Sequence, residues 1–181
     1  MKIDLEIFKK IIFVIERFNN KIGDLTSWLV LFMTIVAFTV VFFRYFFNIG
    51  FVWMQEIYVW MHGIIFLFGA SYALMKDEHV RVDIFYRSKS EKTKALINIS
   101  FSILFLIPFI FIITKYSFPY IFKSWISFEK SREAGGIPFL YIYKSALLFF
   151  CIQIFFQSIS LILRCYLVLT KKEKKIFFQF N

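Results

Sequence analysis

FVWMQEIYVWMHGIIFLFGASYALMKDEHVRVDIFY, residues 51–86, opens with aromatics around one carboxylate, Glu56. It then runs apolar through the small residues Gly63, Gly69, Ala70, Ser71 and Ala73 and stops at Met75. A charged block follows, Lys76-Asp77-Glu78-His79-Val80-Arg81-Val82-Asp83. Crossing the hydrocarbon core of a bilayer takes about 20 predominantly apolar residues, and residues 52–75 supply them. The stretch reads as a membrane-crossing helix with an aromatic entrance and a charged exit.

The composition agrees. Hydrophobic residues make up 60% of the 181, with a mean hydropathy of +0.70, above the roughly 45–50% apolar usage of soluble domains. The excess lies in runs long enough to span a bilayer, which makes the class all-α integral membrane. Phe, Ile and Lys are all frequent. An AT-rich codon bias produces that mixture without function, so the aromatic stripes are not read as a cofactor box. The net charge of +10 comes with no RNA- or DNA-binding motif, and no nucleic-acid partner is expected. In a membrane protein the placement of Lys and Arg matters more than their sum. Cys151 and Cys165 share one predicted helix; a fourteen-residue spacing separates them by about 21 Å, far beyond the roughly 7 Å reach of a disulfide. No Cys-x-x-Cys is present, so a quinone-linked thiol oxidoreductase has no redox centre here.

Working outward from residues 51–86, three further spans appear. The first covers residues 25–47, with its apolar core at 28–43 and Arg44 placed to snorkel. A short connection, Asn48-Ile49-Gly50, leads to the second at 52–75. The third covers 95–114 and contains Pro108, where a kink is predicted because proline removes a donor and clashes with the preceding turn. The fourth covers 142–169. Residues 1–24 lack the layout of a signal peptide. Ile3, Ile7, Ile11, Ile15, Phe18 and Ile22 recur at helical spacing, with Lys2, Glu6, Lys9, Lys10, Arg17, Asn20 and Lys21 mostly opposite. That predicts an amphipathic interfacial N-terminal helix on an anionic leaflet; a dimerising coiled coil is the competing reading. Residues 170–181 form a basic and aromatic tail.

Counting span-end residues with the nearer side, sixteen Lys and Arg go with the N-terminal segment, the 76–94 loop and the tail (Arg164 included), against six with the other two connections (Arg44, Lys115 and Lys144 included). Both termini are therefore expected in the cytoplasm. The third connection, read as residues 116–139, mixes aromatics with charges before Gly135-Gly136-Ile137-Pro138 turns the chain into the last span. A segment of this kind should lie on the membrane surface, meet a partner, or both.

Few groups offer chemistry. Glu56 lies near the outer end of its helix between Trp53 and Trp60, where interface anchoring or an ion pair with a neighbouring helix is expected rather than a proton relay. A small drug antiporter needs an acid deep in a span, and none is present. His62 and His79 are the only histidines; seventeen residues place them about 25 Å apart on one helix, which excludes bis-histidine haem ligation. His62 shares a face with Gly69 and Ala73, where a helix–helix hydrogen bond is expected. His79 and Asp83, four apart, do not make a metal site. Gln153, Gln157, Ser160 and Arg164 form one polar stripe that should face protein, either this chain's own bundle or another subunit. With no nucleophile–base pair, phosphate loop or metal cluster, an enzyme is not expected.

The Trp53-x-x-Glu56 opening, the Gly69-Ala70 pair and the Glu78-His79-Val80-Arg81-Val82-Asp83 exit resemble the small membrane subunit, DctQ-type, of tripartite ATP-independent periplasmic (TRAP) transporters. The resemblance covers about residues 21–163. Gln55-Glu56, residues 77–86, Ser124-Trp125, Glu129-x-Ser131 and Gly135-Gly136-Ile137-Pro138 are also similar to subunits paired with binding proteins for 2-oxo or other small carboxylates. The N-terminal extension and the Phe-rich tail match no family motif.

The resemblance implies a small permease subunit in sodium-coupled import of an organic acid, in the bacterial inner membrane. A periplasmic substrate-binding protein (DctP-type) captures substrate, and a large permease subunit (DctM-type) holds the substrate and sodium sites. This chain, in contact with membrane lipid and binding no cofactor itself, scaffolds the large subunit. Trp53, Glu56, Gly69, His79 and Asp83 occupy motif positions with structural or interface roles. Gln153, Gln157, Ser160 and Arg164 are candidates for subunit packing. Ser124, Trp125, Glu129, Ser131, Gly135, Gly136 and Pro138 are candidates for docking the binding protein. The rival reading is a self-contained homo-oligomeric tetraspan channel or exporter, which needs convergent polar residues at mid-membrane.

Overall fold

The computed structural model describes residues 2–79, 86 and 88–177. The described residues are helical or in turns and short irregular connections, and four of the helical stretches are long and apolar enough to cross a membrane. In chain order these are α1 (Lys2–Phe47), α2 (Val52–Lys76), α3 (Glu91–Phe101) joined through a π-helical turn (Ser102–Leu106) to α4 (Ile107–Ile126), and α5 (Leu140–Leu169).

Residues 2–24 are helical, as their periodicity predicts, but they do not form a helix of their own. α1 runs unbroken for 46 residues, about 69 Å, more than twice the roughly 30 Å hydrocarbon thickness. The expected boundary lies beside Gly23, a residue that often ends helices. Here it serves close packing: a Cβ at Gly23 would run into the ring of Tyr72 on α2. Thr26 and Ser27 donate their hydroxyls back to the Gly23 carbonyl at 2.8 and 2.9 Å, so the polar residues at this junction are satisfied within the helix. The buried stripe of the N-terminal half is Ile12, Glu16, Asn19 and Ile22, and it packs on α5. Ile7, Ile11, Val14 and Phe18 face outward, and these are the side chains left for a membrane surface.

α2 ends where the charged exit begins. Asp77 takes the left-handed conformation (φ 64°) and its N–H returns to the Ala73 carbonyl, a C-terminal cap that Asp tolerates better than most residues. Beyond α2, Ser90 caps α3 by accepting the Thr93 N–H, and Glu91 follows in the first turn, where a negative charge suits the helix dipole.

The third span is longer than its sequence suggests. Pro108 produces no break; the π turn Ser102–Leu106 precedes it, and Ile107 N–H reaches back five residues to Ser102. Proline cannot donate to the carbonyl four residues earlier and crowds it. A wider turn on that side relieves both problems and lets the helix continue. It carries on through Pro119 to Ile126, so residues 116–126, expected in the third connection, belong to α4. The connection is residues 127–139.

α5 is the hub, in contact with α1, α2, α3 and α4, while α1 also packs along α2. Its apolar stretch is 44% buried, against 6–11% for the other spans. One core cluster gathers Ala95, Leu161, Cys165, Val168 and Ile176; a second gathers Ile110, Cys151 and Ile154. Both cysteines are free and buried. Ile176 lies past the end of α5 and is only 1% exposed, so the described part of the tail folds back onto the bundle.

Candidate functional site: the polar ends of the bundle

At the end where α2 and α5 begin, Glu56 closes a loop. Its carboxylate accepts the Ser131 hydroxyl on one oxygen and the Ile137 N–H, at 2.6 Å, on the other. The loop is tied internally as well: Ser131 N–H donates to the Ile137 carbonyl (3.1 Å) and Glu133 N–H to the Ser131 hydroxyl (3.1 Å). Gly135 sits at φ +80°, and a Cβ on Gly136 would lie 2.5 Å from the Ser131 hydroxyl and 2.8 Å from Glu56 Oε2. Gly136 is thus set by the Glu56 clamp, and Gly135 by the positive φ of the turn itself. Of the two roles expected of Glu56, interface anchoring and an ion pair with a neighbouring helix, the ion pair is not made among the described residues; the loop takes the carboxylate instead. A carboxylate near a helix start has free acceptor capacity, and backbone and hydroxyl donors from the loop fill it.

Beside the clamp, Lys144 pairs with Glu129 and lies 4.1 Å from the Tyr120 ring centroid. The hydrogen bond from Lys144 holds the Glu129 carboxyl below its ordinary value. Trp125 donates its indole N–H to Ser145 at 2.8 Å and packs edge-on against Tyr141. Ser124 is buried on the same side of α4. Trp125, Gly135 and Pro138 remain exposed. The seven residues expected at a docking surface are therefore brought together at one end of the bundle, Ser124 (buried) and Trp125 at the end of α4 and the other five in the fastened loop that follows. Trp53 is also exposed there, in contact with the Phe51 ring.

At the opposite end, α1 clasps α5. Asn19 donates to Gln157 at 2.6 Å and accepts from Ser71 of α2 at 3.3 Å. Arg164 grips the Glu16 carboxylate with two nitrogens, and Ser160 donates to the same carboxylate at 2.9 Å. A third Arg164 nitrogen reaches the Ile176 carbonyl at 3.0 Å, while Ile176 N–H donates to Glu91 at 3.3 Å. Lys9 pairs with Glu173. Gln153, higher on the stripe, donates to the Phe68 carbonyl of α2 at 3.2 Å. Of the two partners open to the stripe, the chain's own helices take it: Gln153, Gln157, Ser160 and Arg164 are all buried within the chain.

Glu16 and Asn19 are the residues that sequence reading missed. Ile12, Glu16, Asn19 and Gly23 follow helical spacing, a face distinct from the Ile-rich one. Two polar residues opposite a polar stripe on another helix is the available signal, and only the pairing makes it legible.

The motif positions at the exit divide. His79 Nε2 lies 2.9 Å from the Ala70 carbonyl, so it folds back over the end of α2. Asp83 lies outside the described residues. Gly69 has no atom within 4 Å of where its Cβ would be. On the same side, Val59, His62 and Phe66 are exposed. Among the described residues His62 makes no hydrogen bond, because no helix of this chain covers that face; the expected contact is not made within the chain. No group of three metal-ligating side chains exists among the described residues. Among the described residues the arrangement fastens helices to one another and a loop to the start of α2.

A family model describing the DctQ component of tripartite ATP-independent periplasmic transporters matches residues 33–167, well over half of the 181 residues. Neither a curated protein nor a solved structure matches the chain. The match begins inside α1, so Glu16 and Asn19 precede it while their partners on α5 fall within it. The chain belongs to the DctQ family, the small membrane component of TRAP transporters.

Proposed function

We propose that this chain is the small permease subunit of a sodium-coupled TRAP transporter that imports an organic acid, a 2-oxo or other small carboxylate. It sits in the bacterial inner membrane with both termini in the cytoplasm, scaffolds the large DctM-type subunit and helps dock a DctP-type binding protein on the loop held by Glu56. Sodium binds on the large subunit. One observation carries the reading: the polar stripe of α5, Gln153, Gln157, Ser160 and Arg164, is turned onto the chain's own helices rather than onto a path for a charged substrate. Transport must then belong to a partner, and this chain's part is support.

The test is reconstitution in vesicles. The purified chain alone should give no sodium-driven uptake of 2-oxo acids; addition of the large subunit and binding protein from the same genome should restore it. Uptake by the chain alone would return the reading to a self-contained channel or exporter.

A further inference from the structure

A cavity of about 720 Å³ lies where α1, the end of α2, α5 and the tail meet, within the roughly 300–1,000 Å³ of small-molecule sites. Its walls include Arg17, Lys21 and Asp24 of α1, Lys76 of α2, and the apolar Phe13 and Phe177. The cationic side is unbalanced. Arg17 and Lys21 are four apart on one helix, an arrangement that repels, and Lys76 joins them from the neighbouring helix. Glu16, the buried acid in the wall, is already held by Arg164. Among the described residues none of Arg17, Lys21 or Lys76 makes an ion pair; Arg17 and Lys76 lie over the rings of Phe13 and Tyr72 instead. Asp24 alone opposes three cations.

The position narrows the ligand. Lys76 is the last residue of a span, and on α1 the cavity residues end where the apolar run begins at Leu25. The cavity is therefore at headgroup depth. Leu25, Trp28 and Phe32, exposed at the start of the apolar run of α1, continue its apolar wall toward the hydrocarbon. We propose that this cavity binds the phosphodiester headgroup of one anionic phospholipid, with an acyl chain laid along the exposed face of α1. Three converging cations recognise phosphate oxygens, the single Asp24 leaves a net positive site that disfavours a zwitterionic headgroup, and the aromatic walls suit a lipid better than a hydrated free phosphate. The site rests on this chain's geometry alone and does not depend on what the transporter carries.

The test uses the full-length chain purified in a mild detergent, with dioctanoyl phosphatidylglycerol, dioctanoyl phosphatidylcholine and inorganic phosphate as separate probes. Phosphatidylglycerol should bind saturably, one per chain, at least tenfold more tightly than phosphatidylcholine, and inorganic phosphate should not displace it. The variant R17Q/K21Q/K76Q should weaken binding at least tenfold, whereas the charge-keeping R17K/K21R/K76R should hold it within about threefold. A control, K115Q/K123Q, removes charge from α4 and should leave binding unchanged. Equal binding of both lipids, an unaffected triple glutamine variant, or an equal loss in the control would overturn the proposal. Saturable phosphate binding as tight as that of the lipid would show a free-anion site and overturn the lipid assignment.

Discussion

Glu16 and Arg164 show how a single side chain can be decided by a distant one. Each is nearly sealed from solvent, at 10% and 7% side-chain exposure, and a buried pair of this kind is costly to break from one side. Removing one partner leaves an uncompensated charge, worth about 3–5 kcal/mol, whereas replacing both with apolar residues is close to neutral. Glu16→Ala should therefore lower the thermal midpoint of the purified chain markedly, and E16M/R164M should recover most of the loss. Equal loss in both variants would mean that the pair contributes through shape alone. Glu129 gives a pH dependence of definite sign. Its carboxyl is held below the ordinary 4.5, first by the hydrogen bond from Lys144. A depressed acid adds stability that is fully present above its unfolded value and is lost as pH falls through the folded one. Protection factors of the backbone amides in residues 127–133, corrected for the intrinsic exchange rate at each pH, should be constant around neutral pH and fall on acidification from about pH 4.5 downward. In Glu129→Gln that step should be absent.

At the scale of elements, α1 and α2 meet at a point where a backbone and a ring share space. Gly23→Val places a branched side chain into the Tyr72 ring, and overpacking of this kind costs about 1–3 kcal/mol. The expected result is a lowered thermal midpoint that Y72A partly restores, since the ring is what the new side chain meets. A variant with wild-type stability would mean that the helices can part at no cost. The π turn before Pro108 makes the same point for the third span: where a kink is expected the helix widens locally over Ser102–Leu106 and then continues.

For the whole molecule, the uncovered face of α2 sets an expectation about assembly. Val59, His62, Phe66 and the open side of Gly69 lie along it, and a histidine facing lipid is costly. Trp substituted at His62 or Gly69 should leave the thermal midpoint of the isolated chain within about 0.5 kcal/mol equivalent, as surface changes do. Co-purification with a co-expressed large subunit should fall severalfold. Intact co-purification would move the subunit contact to another face, such as the exposed side of α4. Much of the Glu56 clamp was half legible: the Gly135-Gly136-Ile137-Pro138 turn was plain as a turn, and Glu56 as an exposed-end acid. That one grips the other was not, because they lie 75 to 81 residues apart.

By itself the sequence determined the membrane class, the number of spans and where most of them end. Hydropathy is a local property and bilayer thickness fixes the length of a crossing helix. It also carried the spacing of the motif residues that mark the DctQ family. Only the tertiary structure decided what the polar residues do. Asn19 finds Gln157 across 138 residues and Glu16 finds Arg164 across 148. An apolar environment sets a high cost on an unpaired polar group without naming its partner. The stretch from Phe51 to Lys76 shows both halves: its helix was readable from its own residues, while the loop on Glu56 and the ring of Tyr72 against Gly23 came from packing alone.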